Sequence, residues 1–263
     1  MKKYLKLGIS ALVFAFVFTA LSNLGAVKAS AETLSADLDG DGKDETIVYE
    51  TAETDDYAME IISLTVNGKD VLSVAKFEDQ FEANRINVEV IDTCTKDGLK
   101  ELAVIKGVDS WDIYTLFRFK DGKVSQYCII DGAEDVVSQK KKNTVATKGY
   151  IYVRNLGNIR VTTTYKVKSG KLTNTDPYIS PNKDNSTTTF KTNRKITLYS
   201  DETGSEKIGT IKKGKKFKLV KVLRDEDSED GYTWICVKSN GTTGWINTAD
   251  YDDFFIKNPP LWN

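Results

Sequence analysis

The chain of 263 residues contains no histidine, only three cysteines and only four prolines. The missing histidine is the most restrictive of these. It removes Ser-His and Cys-His nucleophile pairs, imidazole general bases and His-ligated zinc. Most cell-wall peptidase and amidase chemistry goes with them. The cysteines, Cys94, Cys128 and Cys236, are odd in number, so at least one thiol stays unpaired and the chain is no disulfide scaffold. Cys94 and Cys128 are the pair expected to share a domain, with their bonding left open. An excess of one charge is lacking too: 37 basic residues against 38 acidic ones leave a formal net charge of −1. Global electrostatics therefore favour neither nucleic acid nor an anionic membrane.

What is present begins with an export signal. Lys2 and Lys3 precede an apolar stretch from Leu5 to Leu24, and Ala29-Ser30-Ala31 supplies a small-residue cleavage site. Residues 1–31 read as a secretory signal peptide, against the alternative of an uncleaved anchor. No cysteine follows to take a lipid, no second apolar span occurs, and the ending "NPPLWN" carries no sorting tail. The expected location is secreted or extracellular, with any wall association non-covalent and no membrane span after cleavage.

Beyond the signal, turn-bounded runs of β-branched and aromatic residues recur, among them "ETIVYE", "RINVEVID", "IYTLFRF", "IRVTTTYKVK" and "TWICVK". They predict an all-β chain. Three strands enter a Gly-Lys turn, "LTVNGKDVL", "FRFKDGKVS" and "YKVKSGKLT", whose glycines Gly68, Gly122 and Gly170 lie 54 and 48 residues apart. A second repeat sets "DGDGKDETIVYE" against "TKDGLKELAVIK" at a constant offset of 56, pairing Asp41 with Asp97 and Glu45 with Glu101. Residues 32–175 thus divide into three degenerate β-units of about fifty residues. Residues 176–189, rich in Pro, Asn, Ser and Thr, read as a linker; 190–255 as a second small domain; 256–263 as a tail. A lysine cluster, "KKGKKFKLVK" at 212–221, fits a hairpin with one wet face better than a polyanion site.

The stretch "SADLDGDGKDETIVYE" places Asp37, Asp39 and Asp41 at alternate positions with Gly40 and Gly42 between them. Glycines let the backbone wrap so that such carboxylates converge on one hard cation. An EF-hand would need Glu where Val48 stands and a helix where "ETIVYE" alternates as a strand. The expected ligands are the carboxylates of Asp37, Asp39, Asp41 and Glu45 with the Lys43 carbonyl; the ion is Ca2+ in a structural role. The alternative is an acidic surface turn that binds nothing. This loop resembles the calcium loop of FG-GAP and VCBS-type repeats, and that resemblance implies a propeller-like β-domain. At the constant offset, Thr93 and Thr95 replace Asp37 and Asp39 in the second unit, so a second site is not expected there.

Residues 190–255 resemble a bacterial SH3 domain of the SH3b or SH3_3 type. The matching positions are Ile208-Gly209-Thr210-Ile211, Lys213-Gly214, Trp234, Val237, Gly241, Gly244-Trp245-Ile246 and Tyr251. "ITLYSDETG" departs from the opening strand of that family, and the acidic loop 224–233 is long. The resemblance implies a small SH3-like β-barrel and peptidoglycan or a wall peptide as ligand. Tyr199, Tyr232, Trp234, Trp245 and Tyr251 are the candidate binding residues, because rings give large contact area at low entropic cost. Trp234 and Trp245 serve equally well as core.

The first functional reading is therefore an exported non-enzymatic cell-envelope protein of Gram-positive type, tethered to the wall by its SH3-like module. The second is a secreted protein-protein interaction module without specific wall binding. A third, a glycan hydrolase using two carboxylates, has no identifiable carboxylate pair.

Overall fold

The computed structural model describes residues 29–54, 58–77, 83–108, 111–174, 176–182, 188–224 and 231–260. Residues 1–28 of the expected signal peptide lie outside them. The described residues form an all-β chain with no α-helix. None of its helical turns is long and apolar enough to cross a membrane.

Three antiparallel meanders follow one another. The first contains β1 (Ala29–Ala36), β2 (Glu45–Glu53), β3 (Met59–Val66) and β4 (Lys69–Asp70). The second contains β5 (Arg85–Ile91), β6 (Glu101–Val108), β7 (Trp111–Lys120) and β8 (Lys123–Asp131). The third contains β9 (Asp135–Val137), β10 (Thr144–Val153), β11 (Gly157–Lys168) and β12 (Lys171–Asn174). These are the three repeats of the sequence. Each closes its third-to-fourth hairpin through two residues of positive φ: Asn67-Gly68 at 49° and 75°, Asp121-Gly122 at 49° and 69°, and Ser169-Gly170 at 50° and 78°. Such turns match the right-handed twist of the strands they join.

The meanders stack face to face. β6 has no solvent face. Leu102 and Val104 pack with Ile47, Leu64 and Val66 of the first sheet, whereas Ala103 and Ile105 pack with Ile130 and Val145 on the other side. Every such side chain contributes about 1.5–3 kcal/mol on full burial if it is as large as valine or leucine. The outer face of the first sheet is different: Thr33, Val48 and Thr65 are cross-strand neighbours, with Ser35 opposite Thr46. That largely polar face ends the stack.

At the other end, the third sheet continues into the remaining strands. β13 (Tyr178–Pro181) pairs with β11 through Val161↔Pro181 and with β17 (Lys216–Leu223) through Ile179↔Val222. It lies in the segment expected to be a linker. There Ile179 buries its side chain between the two flanking strands, so this stretch is a structural bridge. β14 (Thr189–Lys191), β15 (Ile196–Tyr199), β16 (Lys207–Ile211), β18 (Trp234–Ser239) and β19 (Thr242–Asn247) complete an eleven-stranded sheet. One core joins both parts: Val153, Ile159 and Val161 pack in the same cluster as Phe217, Ile235 and Ile246. Backbone bonds seal the seam, with Arg154 N donating to Tyr232 O at 3.0 Å and Asn158 N to Pro260 O at 2.7 Å. Gly157, at φ +108°, makes this approach possible, since a Cβ there would lie 2.3 Å from the Pro260 oxygen.

Residues 188–263 produced alone should therefore melt about 10 °C or more below the full chain, having lost several buried side chains from their core. Thermal circular dichroism of both proteins checks this. A fragment as stable as the full chain would show that the shared core contributes nothing.

Candidate functional site

The acidic loop leads into β2. One carboxylate oxygen each from Asp37, Asp39 and Glu45 lies within 4.8 Å of the others. Glu45 is buried, and its Oε2 accepts a bond from Leu38 N at 2.8 Å. Asp37 accepts from Gly40 N at 2.8 Å and Gly42 N at 3.1 Å, which curls the loop around it. Asp39 accepts from Asp41 N at 3.1 Å. Asp41 stands outside this convergence: its Oδ1 accepts from Lys43 N at 2.8 Å, and its Oδ2 is 3.9 Å from the exposed Lys43 ammonium. Of the five expected ligand residues, then, three carboxylates come together. Gly40 is required at its position, because at φ +78° a Cβ would fall 2.2 Å from the Gly98 oxygen of the next loop.

That next loop has the same construction and a different charge balance. Glu101, fully buried, accepts from Thr93 N at 3.0 Å, as Glu45 does from Leu38 N. By this role Thr93 corresponds to Leu38, and Asp92 rather than Thr93 corresponds to Asp37. The second loop holds one more residue than the first, which a constant offset does not register. Its carboxylates are answered internally. Arg118 of β7 donates to Glu101 Oε1 at 2.7 Å and to Asp97 Oδ2 at 3.1 Å, and its guanidinium lies 3.7 Å from the centre of the Tyr127 ring. Among the described residues no lysine or arginine nitrogen comes within 4.0 Å of Asp37, Asp39 or Glu45. The corresponding hairpin position of the first sheet is taken by the Asn67-Gly68 turn, where Asn67 Oδ1 accepts from Thr46 N at 2.8 Å. In the third unit the same place before β10 holds Lys140, Lys141 and Lys142.

A second cluster lies on the outer face of the C-terminal strands. The register Tyr199↔Trp245↔Cys236↔Lys221 runs across four strands, and residues directly opposite share a face. Tyr199 meets Trp234 edge to face, with ring centres 5.7 Å apart. Tyr178 from β13 lies 5.6 Å from Trp245, and the Lys221 ammonium sits 3.3 Å above the Tyr178 ring and 5.0 Å from that of Trp245. Hydroxyls tie the edges down: Tyr178 donates to Glu202 at 2.8 Å and Tyr199 to Asp250 at 2.9 Å. Loop 200–206 covers one side. Asp201 organises it, accepting from Thr203 Oγ1 at 2.6 Å and Thr203 N at 3.0 Å as well as from the Ser205 hydroxyl. Hydrogen bonds from the Ser205 and Thr203 hydroxyls hold the Asp201 carboxyl below the usual carboxylate range.

The five candidate ring residues thus divide. Tyr199 and Trp234 form a partly exposed pair. Trp245 is only 6% exposed, covered by Tyr178 and Lys221. Tyr251 accepts a bond from Thr197 N at 3.0 Å, and its ring centre lies 5.1 Å from that of the buried Phe255, so it belongs to the core's edge. Tyr232 packs on the same core and pairs with Val153 at the seam. Tyr178, Asp92 and Arg118 were not among the expected site residues. Tyr178 sat in a segment too polar to suggest a strand. Arg118 becomes visible as a partner only when β6 is registered against β7. All three cysteines are buried free thiols, and burial, with Glu101 adding to it, pushes Cys128 up to about 12.

Arg118→Met leaves Glu101 and Asp97 without a counter-charge in a buried setting, and should cost about 3–5 kcal/mol of unfolding free energy. Urea unfolding checks this; a loss below about 1 kcal/mol, the level of an exposed pair, would contradict the neutralising role.

Compared with known proteins, the chain matches no family model, no curated protein and no solved structure.

Proposed function

We propose that this is an exported, non-enzymatic cell-envelope protein of Gram-positive type that binds peptidoglycan or its peptides through the aromatic face of its C-terminal module. In this reading residues 190–255 are an SH3-like module, and the three meanders are propeller-like units of the FG-GAP or VCBS kind. The observation that carries it is the row of rings on one sheet face, where Tyr199 and Trp234 remain accessible beside the carboxylates of Glu202 and Asp250. Rings give apolar contact to sugar faces or peptide methyl groups, while the carboxylates and hydroxyls supply direction. Tyr178 extends the row from outside the module, so the ligand surface includes β13.

The acidic loop is proposed as a structural calcium site. Three oxygen ligands converge on it, and the sister loop fills the matching need for positive charge with Arg118. A hard divalent ion suits a donor set made only of oxygen. Asp37, Asp39 and Glu45 would hold it, fixing the entry to β2.

Two experiments test these readings. The chain without its signal should co-sediment with purified peptidoglycan sacculi at high salt, and Tyr199→Ala with Trp234→Ala should weaken retention about tenfold, the loss of an anchor pair at 1–2 kcal/mol. Retention that disappears with added salt alone, or unaltered retention of the double variant, overturns the aromatic site and leaves a protein partner as the second reading. Separately, calcium added to chelator-treated protein should raise the melting temperature; saturation a hundredfold above Kd contributes about 2.7 kcal/mol. Asp37→Asn with Asp39→Asn should abolish the rise. No shift at millimolar calcium overturns the metal site.

A further inference from the structure

A groove of about 580 Å³ opens on the outer face of the third sheet, where β13 enters beside β11. Lys148, Thr162 and Ser180 stand opposite one another across β10, β11 and β13, so the three share that face. Tyr178 is two residues from Ser180, and side chains so spaced lie on one side of a strand. It belongs to the groove and to the aromatic row at once, lining the first and meeting Trp245 at 5.6 Å in the second. Thr164, Asp176 and Arg224 line the groove as well. Among the described residues, no protein group engages the hydroxyls of Thr162, Thr164 or Ser180. On the far side, Tyr150 stands two residues along β10 from Lys148 and is 41% exposed.

We propose that the groove and the aromatic row form one continuous site for a glycan strand, crossing the seam between the third meander and the C-terminal strands. The proposal rests on the wall-binding reading above and commits it to the polysaccharide rather than to the peptides. A hydroxyl both donates and accepts, so a wall built from Thr162, Thr164 and Ser180 is matched by a ligand whose own groups do both. Sugars carry such groups all round the ring. Charge in the groove is balanced: Lys148 lies 3.6 Å from Asp135, and Asp176 lines the groove together with Arg224. No net charge is left there to select a polyanion. An extended peptide takes its specificity from pockets for alternate side chains. Here Val137 and Pro181 are the only hydrocarbon side chains among the described lining residues, and Pro181 is buried. Rings at both ends, Tyr150 beyond Lys148 and the pair Tyr199 and Trp234 beyond Trp245, give the apolar faces of sugars somewhere to lie. From β10 to β15 the sheet order runs through six strand spacings, about 29 Å, room for several sugar rings in a row.

Calorimetric titration of the full chain without its signal tests this, with peptide-free wall glycan released from sacculi by amidase digestion as the probe. The glycan should bind, and the stem peptides released with it should bind about tenfold more weakly. Thr162→Val, Thr164→Val and Ser180→Ala together should weaken glycan binding about tenfold through the lost hydrogen bonds. The same variant should melt within about 2 °C of wild type, because none of the three side chains is buried. Thr164→Arg, which fills the groove from an exposed position, should block glycan binding by itself and gives the same answer should the triple variant fold poorly. Tyr199→Ala with Trp234→Ala should also lower glycan affinity, as one continuous site requires. Glycan affinity unchanged in the groove variants, or stem peptides bound more tightly than glycan, overturns the groove site, while retention of the wild-type chain by sacculi still upholds the aromatic one. A wild-type chain that sacculi do not retain removes the wall-binding reading itself, and this proposal with it.

Discussion

The constraint on which the rest depends is that the central strands of the second meander have no face for water. A strand such as β6, with Leu102 and Val104 on one side and Ala103 and Ile105 on the other, stays soluble only if a sheet lies against each side. That requirement places the first and third meanders, and it passes outward. The first sheet meets it with a largely polar outer face carrying Thr33, Ser35 and Thr46. The third sheet keeps the same apolar face further along its strands, where Val153, Ile159 and Val161 follow Val145, and the C-terminal strands cover that end. The C-terminal module is thus a cap on the stack as well as a unit with its own sequence character.

Stacking sheets in register also brings their connecting loops to a common edge, where charge has to be settled. Leu38 O accepts from Lys100 N at 2.9 Å, and Thr95 N donates to Gln139 O at 2.9 Å, so each loop leans on the next. The three loops resolve the same geometry in three ways. In the second, Arg118 crosses from β7 to two carboxylates. In the third, the acidic side chains are gone and lysines stand in their place. The first retains three converging carboxylates with a buried Glu45 among them. Removing one partner from such a buried arrangement costs more than forming it contributes, so loops of this kind change charge together or not at all.

The strand content and the three hairpins were legible in the sequence because their causes are local. Asn-Gly, Asp-Gly and Ser-Gly pairs adopt positive φ, and alternating β-branched residues need one buried face. The acidic loop was legible for the same reason. What escaped were features set by register between distant strands. The one-residue difference between the acidic loops appears only through which backbone N–H meets the buried glutamate, Leu38 or Thr93. Arg118 reads as one polar residue between Phe117 and Phe119 until β6 is laid beside it. The polarity of residues 176–189 spoke for a linker; two flanking strand edges made part of it a strand, a tertiary effect that local composition does not carry. Trp245 had equal claims to core and surface, and Tyr178, from that same segment, decides in favour of burial.

β13 therefore has a double office that follows from its alternation. Ile179 points into the core shared by the third meander and the C-terminal strands, and Tyr178 points to the opposite face, against Trp245 and Lys221. A short strand holding both faces transmits a change on one to the other, because its backbone is bonded on one side to β11 and on the other to β17. A ligand that binds only where β13 holds Tyr178 in place would, by linkage, stabilise the folded seam that Ile179 completes. In a chain whose terminal module both caps the core and presents the rings, the binding proposed at those rings would share this seam with folding.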